Sequence, residues 1–436
     1  MNVAVNKNNF TKDLIDSIDP AQLKTAADQR KIALEKLISI GLPESKSEEY
    51  KFTPITKLLS KQFEPKEITS SYTAVTDNLA SLIDEADRGH CVVFVNGFFD
   101  STLSQLEKNA QVTIQSFTQA IETHPSLVID QLSQANASVD PFALFNNAQW
   151  QAGLFINVSK NTKVDKPLVI YHLYDARGSK IALHTRLFVN VETSAEFRLV
   201  EKTNSVGANS IFHTFNEDIT VNENASFEYT KIQNDPGQLI QVNNTTVHQH
   251  NASRADTYTF TLNGKLIRNN LNIVIDGEGC ESHFYGLYLT DGDTLADNHT
   301  TVDHRKPNSF SNELYKGLMD GKSKGVFNGK IYVRPHAQKT NAFQSNRNIL
   351  LSDTATINTK PQLEIWADDV KCSHGCTTGQ LDTEALFYLQ SRGIPKTTAK
   401  AMLLYAFAGE VLETVKDEGL KTYLDNLVSE KLHKSF

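Results

Sequence analysis

Apolar residues recur along this chain at two different spacings, and the change from one to the other divides it. Near the start, Ala27–Ile40 carries Leu34, Leu37 and Ile38 at the three-to-four-residue spacing of a helix face. Gly41 supplies a stop signal, with Pro43 just beyond it. A loop from Gly41 to Ser45 leads into 49–54, whose Tyr50 and Phe52 are expected to pack on the next helix. A mixed segment runs to about residue 145. Within it the apolar run 91–99, interrupted by Asn96 and Gly97, reads as a buried strand. The polar stretch 131–140 reads as a boundary or surface loop.

From about Gly153 the spacing shortens. Runs rich in Val, Ile, Thr, Phe and Tyr alternate with Asn, Asp, Gly and Ser, the pattern of short strands and turns. A weak repeat appears, in which a strand tip is followed after a few residues by a small one. Val191 leads to Ala195, Val221 to Ala225, His248 to Ala252, Ile275 to Gly279, Val333 to Ala337 and Leu351 to Ala355. Several of these tips lie roughly 27–30 residues apart, a period that signals stacked units. Each period holds two or three short strands, about one coil of a β-helix, and coils stack roughly 4.8 Å apart. Six or seven coils give a rod on the order of 30 Å long. An irregular β-sandwich is the alternative. Past residue 376 the helical spacing returns. Asp382 can cap a helix that stops at Gly393, a second begins near Pro395 with Ala399, Met402, Leu403, Ala406 and Phe407 at helical spacing, and a third covers about 420–432. The expected organisation is a helical or mixed segment over 1–145, a β-helix core over 146–376 and a helical segment over 377–436. End helices suit a β-solenoid because they can cover its open ends.

Composition narrows the function. The 436 residues carry a net charge of −8 spread along the chain, without the basic block that nucleic-acid binding requires. No apolar run approaches the roughly 20 residues of a membrane span, and the first ten residues show no secretion signal. Four cysteines are too few for a disulfide framework in so long a chain and suit a reducing cytosol. These features predict a cytoplasmic protein that engages neither nucleic acid nor membrane.

The candidate motifs differ in strength. Gly317 to Ser323 looks like a phosphate loop but has three residues where a P-loop has four, so no nucleotide is expected on this chain. Asp291, Asp293 and Asp297 lack the closing Glu of a calcium loop. His248 with His250, and His299 with His304, are possible metal ligands but more ordinary as polar or satisfied side chains. Cys372-Ser373-His374-Gly375-Cys376 is the densest constellation. Thiolates and imidazole suit iron, zinc and iron–sulfur clusters. In an extended segment residues 372, 374 and 376 face the same way, and Lys371 would favour thiolate. The alternative is a buried turn whose cysteines pack as small hydrophobes. Three residues cannot complete a tetrahedral site, so ligation there needs another segment or another chain.

The stretch from His299 to Phe407 closely resembles the SufBD family of iron–sulfur cluster assembly proteins. The resemblance rests on Asn346 to Leu351, Thr359 to Ile365, Ala367 to Gly375, Phe387-Tyr388-Leu389 and Ser391 to Ile394, with Val326 to Gly329 and Ala337 to Thr340 upstream. Tyr50 stands where the family usually has Trp, and Cys376 where it usually has Ala. Residues 352–359 hold no cysteine and Gly375 follows His374, a pattern that looks like the D-type subunit and not the B-type. The resemblance implies a right-handed parallel β-helix with helical ends. It also implies a non-catalytic scaffold working with a B-type (SufB-like) paralogue and a C-type (SufC-like) ABC ATPase, with a homodimer possible when partners are absent. A transient iron–sulfur cluster would form at the boundary with the paralogue. His374 is the implied metal ligand on this side, with Cys372 beside it. No flavin fingerprint is visible. Two other readings stay open: a solenoid enzyme acting on polysaccharide, and an interaction protein in which Cys372 and His374 only pack.

Overall fold

A computed structural model describes residues 10–19, 24–44, 46–69, 79–106 and 110–435. Residues 1–9, read above for a secretion signal, and Ser45 of the predicted loop lie outside them. The chain winds as a parallel β-solenoid. Successive strands alternate between two sheets, so each strand pairs with the one two places on in sequence. One sheet of ten strands ends at Lys371–Gly379, and the other, of nine, ends at Thr356–Ile365. The first segment contributes strands to both sheets. Cys91–Val95 pairs parallel with Leu168–Ala176, and Val112–Ser116 pairs antiparallel with Ala152–Val158.

One corner of each coil is built around a residue in the left-handed backbone region. Ser194, Asn224, Ala252, Gly279, Asn308 and Lys339 all have φ between 53° and 69°. Such a conformation is ordinary for Gly and tolerable for Asn but disfavoured for other side chains. It persists here because each of these N–H groups donates to a carbonyl of the next coil, for example Asn224 to Asn251 at 2.9 Å and Asn308 to Gln338 at 2.9 Å. The residue after each turns inward and is buried and mostly small: Ala195, Ala225, Ser253, Cys280, Ser309 and Thr340. The sequence repeat is therefore real but was read in mixed phase. Ala195 and Ala225 are the buried residues, Ala252 and Gly279 are the left-handed ones, and Ala355 belongs to the turn at the opposite corner.

Strands in mid-solenoid are buried on both faces, which explains apolar runs without clean alternation, such as the wholly buried Ile181–Val191. Between the sheets lies a core that includes Phe197, Phe227, Ile219, Phe284 and Phe327. Helices Ala27–Ile40, Ile55–Gln62 and Pro141–Gln149 cover the outer face of one sheet through Leu37, Leu59, Phe142 and Phe145. Helices Lys396–Leu412 and Glu418–Ser435 cover the other through Leu404, Val411, Leu412, Leu424 and Val428. The helix faces are rotated from expectation. Arg30, Ala33 and Leu37 are buried in the first, while Ile38 is exposed. In Lys396–Leu412 the covering residues include Ala401, Leu404 and Ala408, while Met402 is exposed. The stretch 131–140 is not all loop. Helix Pro125–Ala135 runs through its first half, with Gln131 buried and donating to Thr220 Oγ1 at 3.0 Å. The N-terminal segment docks, through Thr53, on a buried ion pair of the solenoid. Arg268 Nη1 donates to Asp297 Oδ2 at 2.5 Å, and the same oxygen accepts from Thr53 Oγ1 at 2.5 Å.

Candidate metal centre at the mouth of the solenoid

The inner faces of the sheets carry columns of residues, one from each coil, set by strand register. Strand Lys371–Gly379 ends its sheet and pairs only with Asn341–Leu350, placing Cys372 beside Ala342, His374 beside Gln344 and Cys376 beside Asn346. Ala342, Gln344 and Asn346 are buried inward-facing residues. Alternation along the strand then puts Cys372, His374 and Cys376 at the ends of three inner columns, as the i, i+2 spacing predicted. No further coil covers them among the described residues, so the last strand of each sheet frames an open mouth. His374 and Cys376 are exposed there, and Cys372 is half-buried.

The columns differ in chemistry. Cys372 continues a column of small residues, Ala255, Ser282, Ser311 and Ala342, and packs against the apolar core. Burial pushes its thiol pKa up. Lys371 was expected to favour thiolate, but neighbouring strand residues face opposite ways, and desolvation dominates at Cys372. His374 ends a polar column. Beneath it Gln344 donates through Nε2 to Glu313 Oε2 at 2.7 Å, and Gln344 Oε1 has no hydrogen-bond partner. Glu313 is fully buried, and desolvation pushes its carboxyl up to about 7 against the opposing hydrogen bonds from Thr300 and Gln344. The Gln344 carboxamide reaches across the interior over Gly329, where a Cβ would lie 2.2 Å from Nε2. Cys376 ends a second polar column. Its Sγ lies 2.7 Å from Thr359 Oγ1 on the facing sheet and 3.9 Å from Asn346 Oδ1. Asn346 is held in turn, donating to Tyr288 Oη at 3.1 Å and the Tyr315 carbonyl at 3.2 Å.

The other histidine pairs separate. His248 lies in strand Gln238–Gln249, whereas His250 lies in the turn beyond it. His299 and His304 both belong to strand Leu295–His304 and do not flank a turn. His299 sits 3.0 Å from Asp297 and 3.3 Å from Glu49, and His304 is buried against Ser311. Among the described residues no group of three or more His, Cys, Asp and Glu side chains is placed to hold a metal ion. A groove of about 750 Å³ opens elsewhere, between the N-terminal segment and the outer face of one sheet. Its Arg268, His299 and Lys330 are already paired with Asp297 and Glu49. Sequence reasoning missed Thr359, Gln344 and Glu313. They join the site only through register across coils, so the signal was the repeat itself, had its phase been known.

Comparison with known proteins bears on this architecture directly. The core domain described as SUF system FeS cluster assembly, SufBD core domain, matches residues 173–407, and the SufBD N-terminal region matches residues 8–170. The chain belongs to the SufBD family. An iron–sulfur cluster assembly SufBD family protein of Synechocystis is 32% identical over 411 residues, covering 92% of this chain and 90% of the relative. The iron–sulfur cluster assembly protein SufD of Escherichia coli is 31% identical over 408 residues, covering 92% and 91%. SufD of Bacillus subtilis is 26% identical over 425 residues, covering 95% of each. SufBD membership ties the chain to iron–sulfur cluster assembly in the SUF system. None of its described helices is long and apolar enough to cross a membrane.

Proposed function

We propose that this chain is a cytoplasmic, non-catalytic scaffold subunit of a SUF assembly complex, working with a B-type paralogue and a C-type ABC ATPase that supplies the nucleotide chemistry. The observation that carries the reading is the open mouth, where an imidazole and two thiols stand on the free end of a sheet. A second solenoid of the same fold offers a matching sheet end, and unpaired strand edges are what another chain can extend. The cluster then forms at the boundary between the two chains. His374 supplies a ligand from this side, and Cys372 is the auxiliary thiol that the family motif suggests. A second copy of this chain could occupy the same edge when the paralogue is absent.

Anaerobic co-expression with the two partners tests the reading. A brown complex carrying iron and sulfide is expected, with cluster yield cut in His374→Ala while the complex stays intact. Loss of a direct ligand should exceed the 10–100-fold typical of losing a residue that only orients one. An intact complex that stays colourless under every loading condition would instead favour the interaction-only reading.

A further inference from the structure

The two thiols flanking His374 are equally distant in sequence, but the structure places them in different surroundings. Cys372 ends a small-residue column and packs, half-buried, on the apolar core. Cys376 ends a polar column, is exposed at the mouth, and has Thr359 Oγ1 at 2.7 Å across the opening. A hydroxyl at that distance can donate to a metal-bound sulfur. Beneath the pair lies the unpartnered Oε1 of Gln344, a side chain only 3% exposed and registered directly under His374. A buried acceptor left without a donor is unfavourable, and a group bound at the mouth that brings a donor or a positive charge would relieve it.

We propose that Cys376, and not Cys372, is the thiol that ligates iron together with His374. The inference rests on the reading of His374 given above and puts Cys376 in place of Cys372 as its auxiliary thiol. Residues i and i+2 of a strand stand roughly 6.6–6.8 Å apart on one face, close enough for imidazole nitrogen and thiolate sulfur to meet one iron or two adjacent irons of a cluster. Binding forms an Fe–S bond as the Sγ–H proton passes to the solvent at the open mouth. No oxidation state changes. Thr359 donates to the bound sulfur, and Asn346, fixed by Tyr288 and Tyr315, forms the floor.

Timed iodoacetamide labelling followed by peptide mass analysis tests this on the full chain and on the iron-loaded complex. In the free chain Cys376 should react about tenfold faster than Cys372, following its greater exposure. In the loaded complex Cys376 should be protected relative to the same complex stripped of iron. Cys376→Ala should lose several-fold more iron than Cys372→Ala. Faster labelling of Cys372 in the free chain, unprotected Cys376 in the loaded complex, or greater iron loss from Cys372→Ala would each overturn the assignment. The two readings fail separately. If His374→Ala loads normally while Cys376 stays protected, the role of His374 falls and that of Cys376 stands. If His374→Ala fails to load while Cys376 labels freely in the loaded wild type, the reverse holds.

Discussion

Gly329 lets the floor of the mouth exist, and Gly329→Ala should show it. The position lies within strand Lys324–Val333, so its glycine answers to space, not to an unusual backbone angle. An added Cβ would fall 2.2 Å from Gln344 Nε2, 2.7 Å from its Cδ and 3.0 Å from its Oε1. The carboxamide is the far end of a flexible side chain, but it is buried and engaged with Glu313 at 2.7 Å. Moving it breaks that bond inside the protein, about 1–3 kcal/mol, and crowds the neighbouring coil, about 1–3 kcal/mol more. The gain from replacing glycine in a strand returns about 0.5–1 kcal/mol. The net expectation is a loss of about 1–5 kcal/mol. Denaturant unfolding followed by circular dichroism measures it, with hydrogen exchange locating the loss in the last coils, because a solenoid need not unfold all at once. Gly375→Ala is the control: a Cβ there meets nothing within 4 Å, and the change should be neutral or stabilising by up to about 1 kcal/mol. Gln344→Ala removes the obstacle, so the double variant should be more stable than the sum of the single effects by about 0.5–3 kcal/mol. Strict additivity, or a Gly329→Ala protein as stable as wild type, would refute the close approach of Gln344.

Arg268→Met should destabilise the protein by about 3–5 kcal/mol, since it leaves Asp297 buried without its cation; an unfolding midpoint near wild type would count against that pair as the buried anchor on which Thr53 docks. Glu313 binds its proton more tightly folded than unfolded, its pKa rising from 4.5 to about 7. Its favourable contribution is therefore full below pH 4.5 and lost as pH rises toward 7. Glu313→Gln should remove on the order of 3 kcal/mol of that decline, a difference readable against wild type although Glu217 also titrates near 7. Phe387, 73% exposed, Tyr388, 56% exposed, and Met402, 48% exposed, are large side chains that the C-terminal helices leave open. Phe387→Glu should weaken capture of the ATPase without moving the melting temperature, and undiminished capture would place docking elsewhere. Deleting 382–436 would be a poorer test, because those helices cover Tyr258, Phe260 and Leu287.

The stacked β architecture was legible because the corners repeat: one residue in each coil must take a left-handed backbone angle and the next must turn inward. The phase was not, because both positions accept small residues, so Ala195 and Ala252 look alike in sequence while doing different work. Helix ends were readable from local chemistry. Asp382 does cap its helix, accepting from the N–H groups of Glu384 and Ala385. Helix faces were less so, because Ala and Arg30 can be buried where tertiary packing asks for them. Arg30 is buried with its guanidinium 3.6 Å over the Trp150 ring. At the site, the shared face of Cys372, His374 and Cys376 followed from strand alternation alone. The different burial of the two thiols did not. It depends on Ala342 and Asn346, about 30 residues upstream and adjacent only through the solenoid register.

The central claim is that a cluster sits at the mouth of this solenoid on an imidazole from this chain. The direct measurement is pulsed electron paramagnetic resonance on the reduced complex, assembled with nitrogen-15 histidine in this chain only. The account predicts a nitrogen-15 coupling to the cluster that disappears in His374→Ala. A spectrum unchanged by the label would contradict it and remove His374 as a ligand.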